Sequence, residues 1–256
     1  MDKIYIVGGG ASGMMAAIQA KTKDNEVILL EKNDRVGKKI LATGNGKCNL
    51  GNENLSVDCY YSKNGSFVEQ VLKRYDTESA VSFFSSIGLK VRSKNGYLYP
   101  YAEQASVVLD VLRMELERRS IQVKPEVQIK DCIPLKKKRG FQLKTSEGKS
   151  YEADRVILAC GGPASLKEGG KDGYNILQKL GLKTYPLVPG LVQLRTDGKE
   201  QKAMSGVRCK ASLRLFTDGI QQGSEQGELQ LTDYGISGIP VFQLSRVAAY
   251  ALRNRK

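Results

Sequence analysis

Apolar runs of strand length alternate with helical patterns along this chain, and the alternation is clearest at its start. Ile4-Tyr5-Ile6-Val7 is a short apolar run, a helical pattern follows over 14–21, and a second apolar strand spans 27–30. Further on, helical patterns over 76–87 and 104–119 flank a short strand at 90–92. In the second of these helices Ala105, Val108, Leu109, Leu112 and Leu116 share one face, while Arg113, Glu117 and Arg118 lie elsewhere. Strands at 127–133, 140–145 and 150–153 predict an antiparallel meander. The wholly apolar 156–159 predicts a buried parallel strand, with a helix over 174–180 after it. Tyr185-Pro186-Leu187-Val188-Pro189-Gly190 marks a boundary. Beyond it, 191–194, 207–216 (turned at Thr217-Asp218-Gly219) and 228–231 read as strands and 241–252 as a helix. Parallel strands joined through helices, then a β-rich stretch, predict an α/β protein with domains at 1–188 and 189–256.

The join between the first strand and the first helix carries chemistry. Gly8-Gly9-Gly10-Ala11-Ser12-Gly13 has the form GxGxxG, and the second strand ends in an acid, Glu31. Strand, glycine turn, helix, strand and acid in that order are the context of a dinucleotide site. Gly8 permits the tight turn, Gly10 lets the backbone approach a pyrophosphate, and Gly13 lets helix and strand pack closely. Free N–H groups at the helix start hold the phosphates, and Glu31 is placed for an adenosine ribose.

After Glu31 comes a glycine-rich, basic loop over 32–49, where a nicotinamide-binding half usually enters another crossover helix. A loop of that length is functional more often than connecting. Thr43, Asn45 and Asn49 offer hydrogen bonds, and Lys38, Lys39 and Lys47 offer positive charge that suits the electron-rich edge of a reduced flavin. FAD is therefore the expected dinucleotide.

The segment Gly37-Lys38-Lys39-Ile40-Leu41-Ala42-Thr43-Gly44-Asn45-Gly46-Lys47-Cys48-Asn49 resembles the hallmark of the BaiN/YhiN-like family of NAD(P)/FAD-dependent oxidoreductases. Arg155-Val156-Ile157-Leu158-Ala159-Cys160-Gly161-Gly162 resembles the strand and turn with which two-dinucleotide-binding flavoproteins return to FAD. Asp172-Gly173-Tyr174 opens the helix that follows it in the family, and 227–238 resembles a motif of the family's inserted domain. The likeness runs from residue 1 to about residue 246. The sequence departs from the pattern at Cys160, where threonine is usual, at Asp233, where histidine is expected, and over 163–170. Family members are longer and return to the FAD domain after the insertion, so the resemblance implies that this chain lacks the return segment.

The resemblance implies a Rossmann-like FAD-binding domain, its parallel sheet interrupted by a β-meander crossover, plus a β-rich inserted domain. Gly8, Gly10, Ala11, Ser12 and Gly13 would hold the pyrophosphate and Glu31 the ribose. Lys32, Arg35, Gly37, Lys38, Thr43, Gly44 and Asn45 would line the rest, with Val127 at the adenine side and Ala159 and Gly161 at the inner turn. NAD(P)H is implied as the reductant, bound transiently, since no second GxGxxG follows. Members have been linked to dihydrouridine formation in large-subunit ribosomal RNA, and others are named as an aminoacetone oxidase or a bile-acid-intermediate reductase. Three readings stay open: reduction of a uridine in RNA, a flavoenzyme on a small molecule (an amine oxidase or enoyl-type reductase), and an FAD-binding fragment without activity.

Composition narrows the classes. The 256 residues suffice for one large or two modest domains, and 41% hydrophobic residues with a mean hydropathy of −0.34 fit a globular protein. No apolar run approaches the roughly 20 residues of a membrane span, and the N-terminus reads as a strand rather than a signal peptide. Five cysteines without CxxC spacing predict a reducing, cytoplasmic setting. With no histidine and no cysteine pair, a transition-metal site is not expected. The net charge is +13, with 25 basic against 17 acidic residues over 1–150 and 15 against 10 over 151–256. So broad an excess attracts polyanions, which makes RNA the expected macromolecular partner. Lys136-Lys137-Lys138-Arg139 is the densest basic patch, at what reads as a hairpin tip.

Without histidine, the proton that accompanies hydride transfer needs another donor. Cys48, in the glycine loop near Lys38, Lys39 and Lys47, is the candidate; it reads equally as a small residue packing beneath the flavin. Lys47 and Asn49 are candidates to bind the flavin or a substrate carbonyl. A disulfide reductase needs a cysteine pair, and Cys48 has no neighbour nearer than Cys59.

Overall fold

The computed structural model describes residues 1–62, 64–136, 138–164, 170–198 and 200–254. Strand β1 (Asp2–Val7), helix α1 (Ala11–Ala20) and strand β2 (Asn25–Leu30) form the first crossover. Instead of remaining a loop, the glycine-rich segment winds into a short helix α2 (Lys38–Leu41) and a 3-10 turn at Thr43–Gly46, because Ile40 is drawn into the core. A small region follows, made of β3 (Gly51–Asn52), α3 (Gly65–Arg74), α4 (Thr77–Ser86) and the hairpin β4 (Val91–Lys94) and β5 (Tyr97–Pro100). Helix α5 (Ala105–Arg118) then leads to β6 (Gln122–Lys124). The expected meander is β7 (Ile129–Pro134), β8 (Phe141–Thr145) and β9 (Ser150–Ala153), after which come β10 (Arg155–Leu158) and α6 (Asp172–Lys179).

The Rossmann-like sheet is parallel throughout and runs β10-β1-β2-β6. Its two central strands are apolar on both faces because both faces are covered. Ile4, Ile6, Val27 and Leu29 pack with Met14, Ala17 and Ile18 of α1 and Val108, Leu112 and Leu116 of α5. Tyr5, Val7, Ile28 and Leu30 pack with the meander (Ile129, Leu143, Ala153) and with Ile176 of α6. The expectation of a buried strand at 156–159 needs correction. Among the described residues β10 has only β1 beside it, so it is the sheet edge and Ile157 is 38% exposed.

Contacts divide the chain at Thr184/Tyr185, at the start of the boundary segment rather than at 188. The second unit, Tyr185–Lys256, holds β11 (Leu194–Arg195), α7 (Glu200–Ala203), β12 (Arg208–Thr217), β13 (Ile220–Thr232), β14 (Gly235–Ser237) and α8 (Ile239–Asn254). Its sheet is antiparallel, in the order β11-β14-β13-β12. The long hairpin turns at Asp218 and Gly219, both at positive φ, as a tight two-residue turn with right-handed twist requires. Helix α8 lies close on this hairpin, with Leu244 and Pro240 near the positions where Gly223 and Gly227 lack side chains. Among the described residues no helix is long and apolar enough to cross a membrane.

Candidate cofactor site

The glycine turn is held from three sides. Gly8 N–H donates to the Leu30 carbonyl at 2.8 Å, Gly37 N–H donates to the Gly9 carbonyl at 2.8 Å, and Gly9 N–H donates to Glu31 Oε2 at 2.6 Å. Gly8 sits at φ +110°, and a Cβ there would lie 2.5 Å from the Ala159 carbonyl oxygen. A Cβ on Gly13 would lie 1.8 Å from the Gly8 carbonyl oxygen, so α1 rests directly on the turn. Gly10 is different: a Cβ there meets nothing within 4 Å. It is the residue that starts α1, has no side-chain cap, and is followed by a first turn without an acid. The first N–H groups of a helix have no intrahelical partner, and here they meet a cavity instead.

That cavity has a volume of about 410 Å³, in the range of cofactor sites. Gly8, Gly10, Ala11, Ser12, Glu31, Lys32, Gly37, Lys38, Thr43, Val127, Ala159 and Gly161, all candidates from the sequence, line it. Gly13 stands behind the turn and shapes it from there. Arg35 and Asn45 are not among the lining residues; the Arg35 side chain is exposed and Asn45 turns through φ 57°, while the surroundings of Gly44 lie outside what is described.

Glu31 is buried, and its second oxygen accepts from Asn33 N–H at 2.8 Å and from the Asn33 side-chain amide. The acid expected at a ribose thus also pins the turn. Val127 N–H donates to the Glu31 carbonyl at 2.8 Å, so its side chain and carbonyl remain for the cavity. Lys39 Nζ donates to the Gly162 carbonyl at 3.0 Å and ties α2 to the turn after β10. Lys38 pairs with Asp34 at 2.5 Å on the surface.

Sequence reasoning missed Asp172 as a lining residue. It accepts from Gln128 Nε2 at 2.9 Å and Lys130 Nζ at 3.1 Å, with Lys32 Nζ at 3.9 Å. Burial opposes its charge, but the Gln128 and Lys130 hydrogen bonds and the two lysines hold its carboxyl below the usual carboxylate range. Cys160 also lines the cavity; burial first, and then the negative charge of Asp172, push its thiol up, so it stands there as a neutral group. Asn33 and Gln128 lie in the segments after β2 and before β7 and Asp172 opens α6, and only the acid opening a helix at Asp172 hinted at any of them.

Cys48 and Lys47 lie apart from the lining. Cys48, at φ 58°, turns its side chain into the apolar core, and Lys47 pairs with Glu103 at 2.8 Å. Residues 165–169 of the departing segment lie outside the described residues, while Gly170 lines the cavity. Of the basic patch, Lys137 lies outside the described residues and Lys138 pairs with Glu152 at 2.6 Å across the meander.

A family model described as "HI0933-like protein Rossmann domain" matches residues 2–220. The chain is 43% identical to the 3-dehydro-bile acid delta(4,6)-reductase of Clostridium scindens over 100% of its own length and 63% of that protein. It is 28% identical to the ribosomal RNA dihydrouridine synthase of Haemophilus influenzae, over 94% of this chain and 60% of that protein. The chain therefore spans less than two thirds of these relatives. The open conformation of a flavocytochrome c3 fumarate reductase shares its fold with a TM-score of 0.53 at 16% identity, over 81% of this chain and 46% of that one.

Proposed function

The chain belongs to the HI0933-like family, and on that premise we propose that it is the FAD-holding part of a reductase that saturates a carbon–carbon double bond conjugated to a carbonyl. The observation that carries the cofactor is Gly10, whose open Cβ direction over the start of α1 leaves the space that a pyrophosphate oxygen needs. The residues present fit the whole adenosine half. The N–H groups of the glycine turn and first helical turn would hold the pyrophosphate, Lys38 and Lys39 would offset its charge, and Glu31 would take a ribose hydroxyl through its remaining lone pair. Lys32, Gln128 and Val127 would enclose the adenine side, with Asp172 holding Lys32 and Gln128 in place. When bound, FAD supplies hydride transfer, fed by NAD(P)H as the expected reductant. Cys160, kept neutral, holds no charge against it.

The conjugated double bond is what the names of the two relatives have in common. A Δ4,6 bond system beside a 3-oxo group and the C5–C6 bond of uridine beside its carbonyl each accept hydride at the far carbon and a proton at the near one. The small-molecule reading is supported by the 43% relative, and we place it first. The uridine reading is supported by the +13 charge, which a small carboxylic acid does not call for.

Titration calorimetry of the purified chain with FAD, with NAD⁺ as the comparison, tests the cofactor. Saturable FAD binding that appears as a bound-flavin spectrum is expected. Tight binding of NAD⁺ with none of FAD would overturn the assignment. NAD(P)H-dependent loss of the enone absorbance of a 3-oxo-Δ4 steroid acid tests the reaction.

A further inference from the structure

One face of the small antiparallel sheet β3-β5-β4 is turned to the interior through Leu98 and Pro100, both buried. The opposite face carries Arg92 and Lys94 on β4 directly across from Tyr99 and Tyr97 on β5. Tyr97 is 48% exposed, and Tyr101, just beyond the strand, is 66% exposed. The Arg92 guanidinium lies 5.8 Å from the Tyr101 ring centre. Arg92, Lys94 and Lys47 gather round the single carboxylate of Glu103, Lys47 at 2.8 Å and Lys94 at 4.0 Å, which leaves the cluster with an excess of two positive charges. Lys47 comes from the same glycine-rich segment that gives Thr43 to the cofactor cavity.

Exposed ring faces set among uncompensated cations are the chemistry that single-stranded nucleic acid uses: bases stack on the rings and phosphates meet the cations. The aliphatic side chains of this sheet point inward, so the face offers a protein or lipid partner little to bury. We propose that the β4–β5 face is a stacking platform for single-stranded RNA, with bases on Tyr97 and Tyr101 and phosphates on Arg92, Lys94 and Lys47. The proposal rests on the uridine reading above and gives it a docking surface. The excess charge of the whole chain then brings RNA to the protein, and the tyrosines hold it.

The test is fluorescence anisotropy of the full chain with a short labelled oligouridylate at two salt concentrations, each variant first checked for an unchanged circular dichroism melt. Tyr97→Ala and Tyr101→Ala should each weaken binding about tenfold. Lys94→Glu should weaken it and flatten its salt dependence. Lys138→Glu, at the meander tip, should bind like the parent. If the parent binds RNA and the tyrosine variants bind as tightly, the platform is wrong and the uridine reading survives. If the parent shows no salt-sensitive binding at all, both fall. Binding of a steroid carboxylic acid that is lost in the tyrosine variants, with no RNA bound, would give the face to the small molecule and overturn the proposal.

Discussion

Two glycines three residues apart should respond in opposite ways to the same added methyl group. A Cβ on Gly13 falls 1.8 Å from the Gly8 carbonyl oxygen, against the 3 Å or more that real Cβ atoms keep. The obstacle is backbone, so α1 or the turn must move by more than an ångström. Overpacking of that kind costs about 1–3 kcal/mol, and the gain in helix propensity returns no more than about 1 kcal/mol. Gly13→Ala should therefore lose roughly 2 kcal/mol, or about 4–8 °C in Tm for a chain of this size. Gly10→Ala adds its methyl to open space at φ −77°, a conformation that alanine adopts readily. Its lower unfolded-state entropy favours folding by about 0.4–1 kcal/mol, and alanine's weakness as a helix-starting residue offsets a similar amount. Its Tm should stay within about 2 °C of the parent. The methyl nevertheless occupies the space of the pyrophosphate, and losing even one charge-assisted hydrogen bond weakens binding by about 10-fold or more. Scanning calorimetry and FAD titration on the two variants read both effects. The cradle reading is refuted if Gly10→Ala melts as low as Gly13→Ala, or if it binds FAD as tightly as the parent.

Glu115 of α5 accepts two hydrogen bonds from Arg118 and one from Arg119, whose guanidinium also reaches the Ile18 carbonyl of α1 at 2.9 Å. The Arg118 hydrogen bonds, helped by Arg119 and opposed by burial, bring its carboxyl down from 4.5 to about 2. A depressed carboxyl stabilises the fold above about pH 4.5 and loses that contribution, on the order of 3 kcal/mol, as pH falls toward 2. Urea unfolding at pH 5 and pH 3 should show about 2 kcal/mol of this loss in the parent and a smaller one in Glu115→Gln; equal losses would discard the coupling. Cys48→Ala should cost about 1 kcal/mol of packing and leave FAD affinity unchanged, whereas a tenfold loss of affinity would return Cys48 to the site. Glu31→Gln presents an amide donor to either Gly9 N–H or Asn33 N–H, leaving one donor unpaired at a cost of about 1–3 kcal/mol; an unchanged Tm would mean that Glu31 does not pin the turn.

Elements whose burial is written along their own length were legible in the sequence. The apolar face at Ala105, Val108, Leu109, Leu112 and Leu116 predicts a helix over 104–119, and α5 occupies Ala105–Arg118 with all five buried. Elements held by their surroundings were not legible. Strand β6 is three residues long, two of them polar, and it joins the sheet only because β2 lies beside it. Helix α3 carries a clear amphipathic pattern and was legible in principle, although it buries no residue fully. The same division runs through the site. The glycine turn, Glu31 and Asn33 form one local motif, but Lys39 with Gly162 and Gln128 with Asp172 meet only when the chain has closed on itself. Cys48 shows the same limit. Its local lysines suggested reactivity, yet its positive φ turns the thiol inward, among core residues that include Ile40, Leu89 and Leu109.

What separates this turn from a flexible glycine loop is that it is tied to the end of β2, the start of α2 and the turn after β10. Leu30 holds Gly8 from the end of β2, Glu31 holds Gly9 from the next residue, and Gly37 holds Gly9 from the start of α2. Ala159 closes over Gly8 from the far side, and its own N–H donates to the Val7 carbonyl at 2.8 Å. A loop fixed this way has lost its freedom before a ligand arrives, so binding does not have to order it. Glu31 makes the arrangement economical: one buried carboxylate fixes the turn through Gly9, fixes its own strand end through Asn33, and still has a lone pair on Oε2 for a ribose hydroxyl. Its negative charge stands beside the positive end of α1, where it is favoured. A lysine or arginine in its place would abolish the ties and oppose that dipole. An acid at this position is therefore required by the folding of the turn, and it also suits the ribose of the proposed FAD; either demand alone would account for its presence at the end of β2.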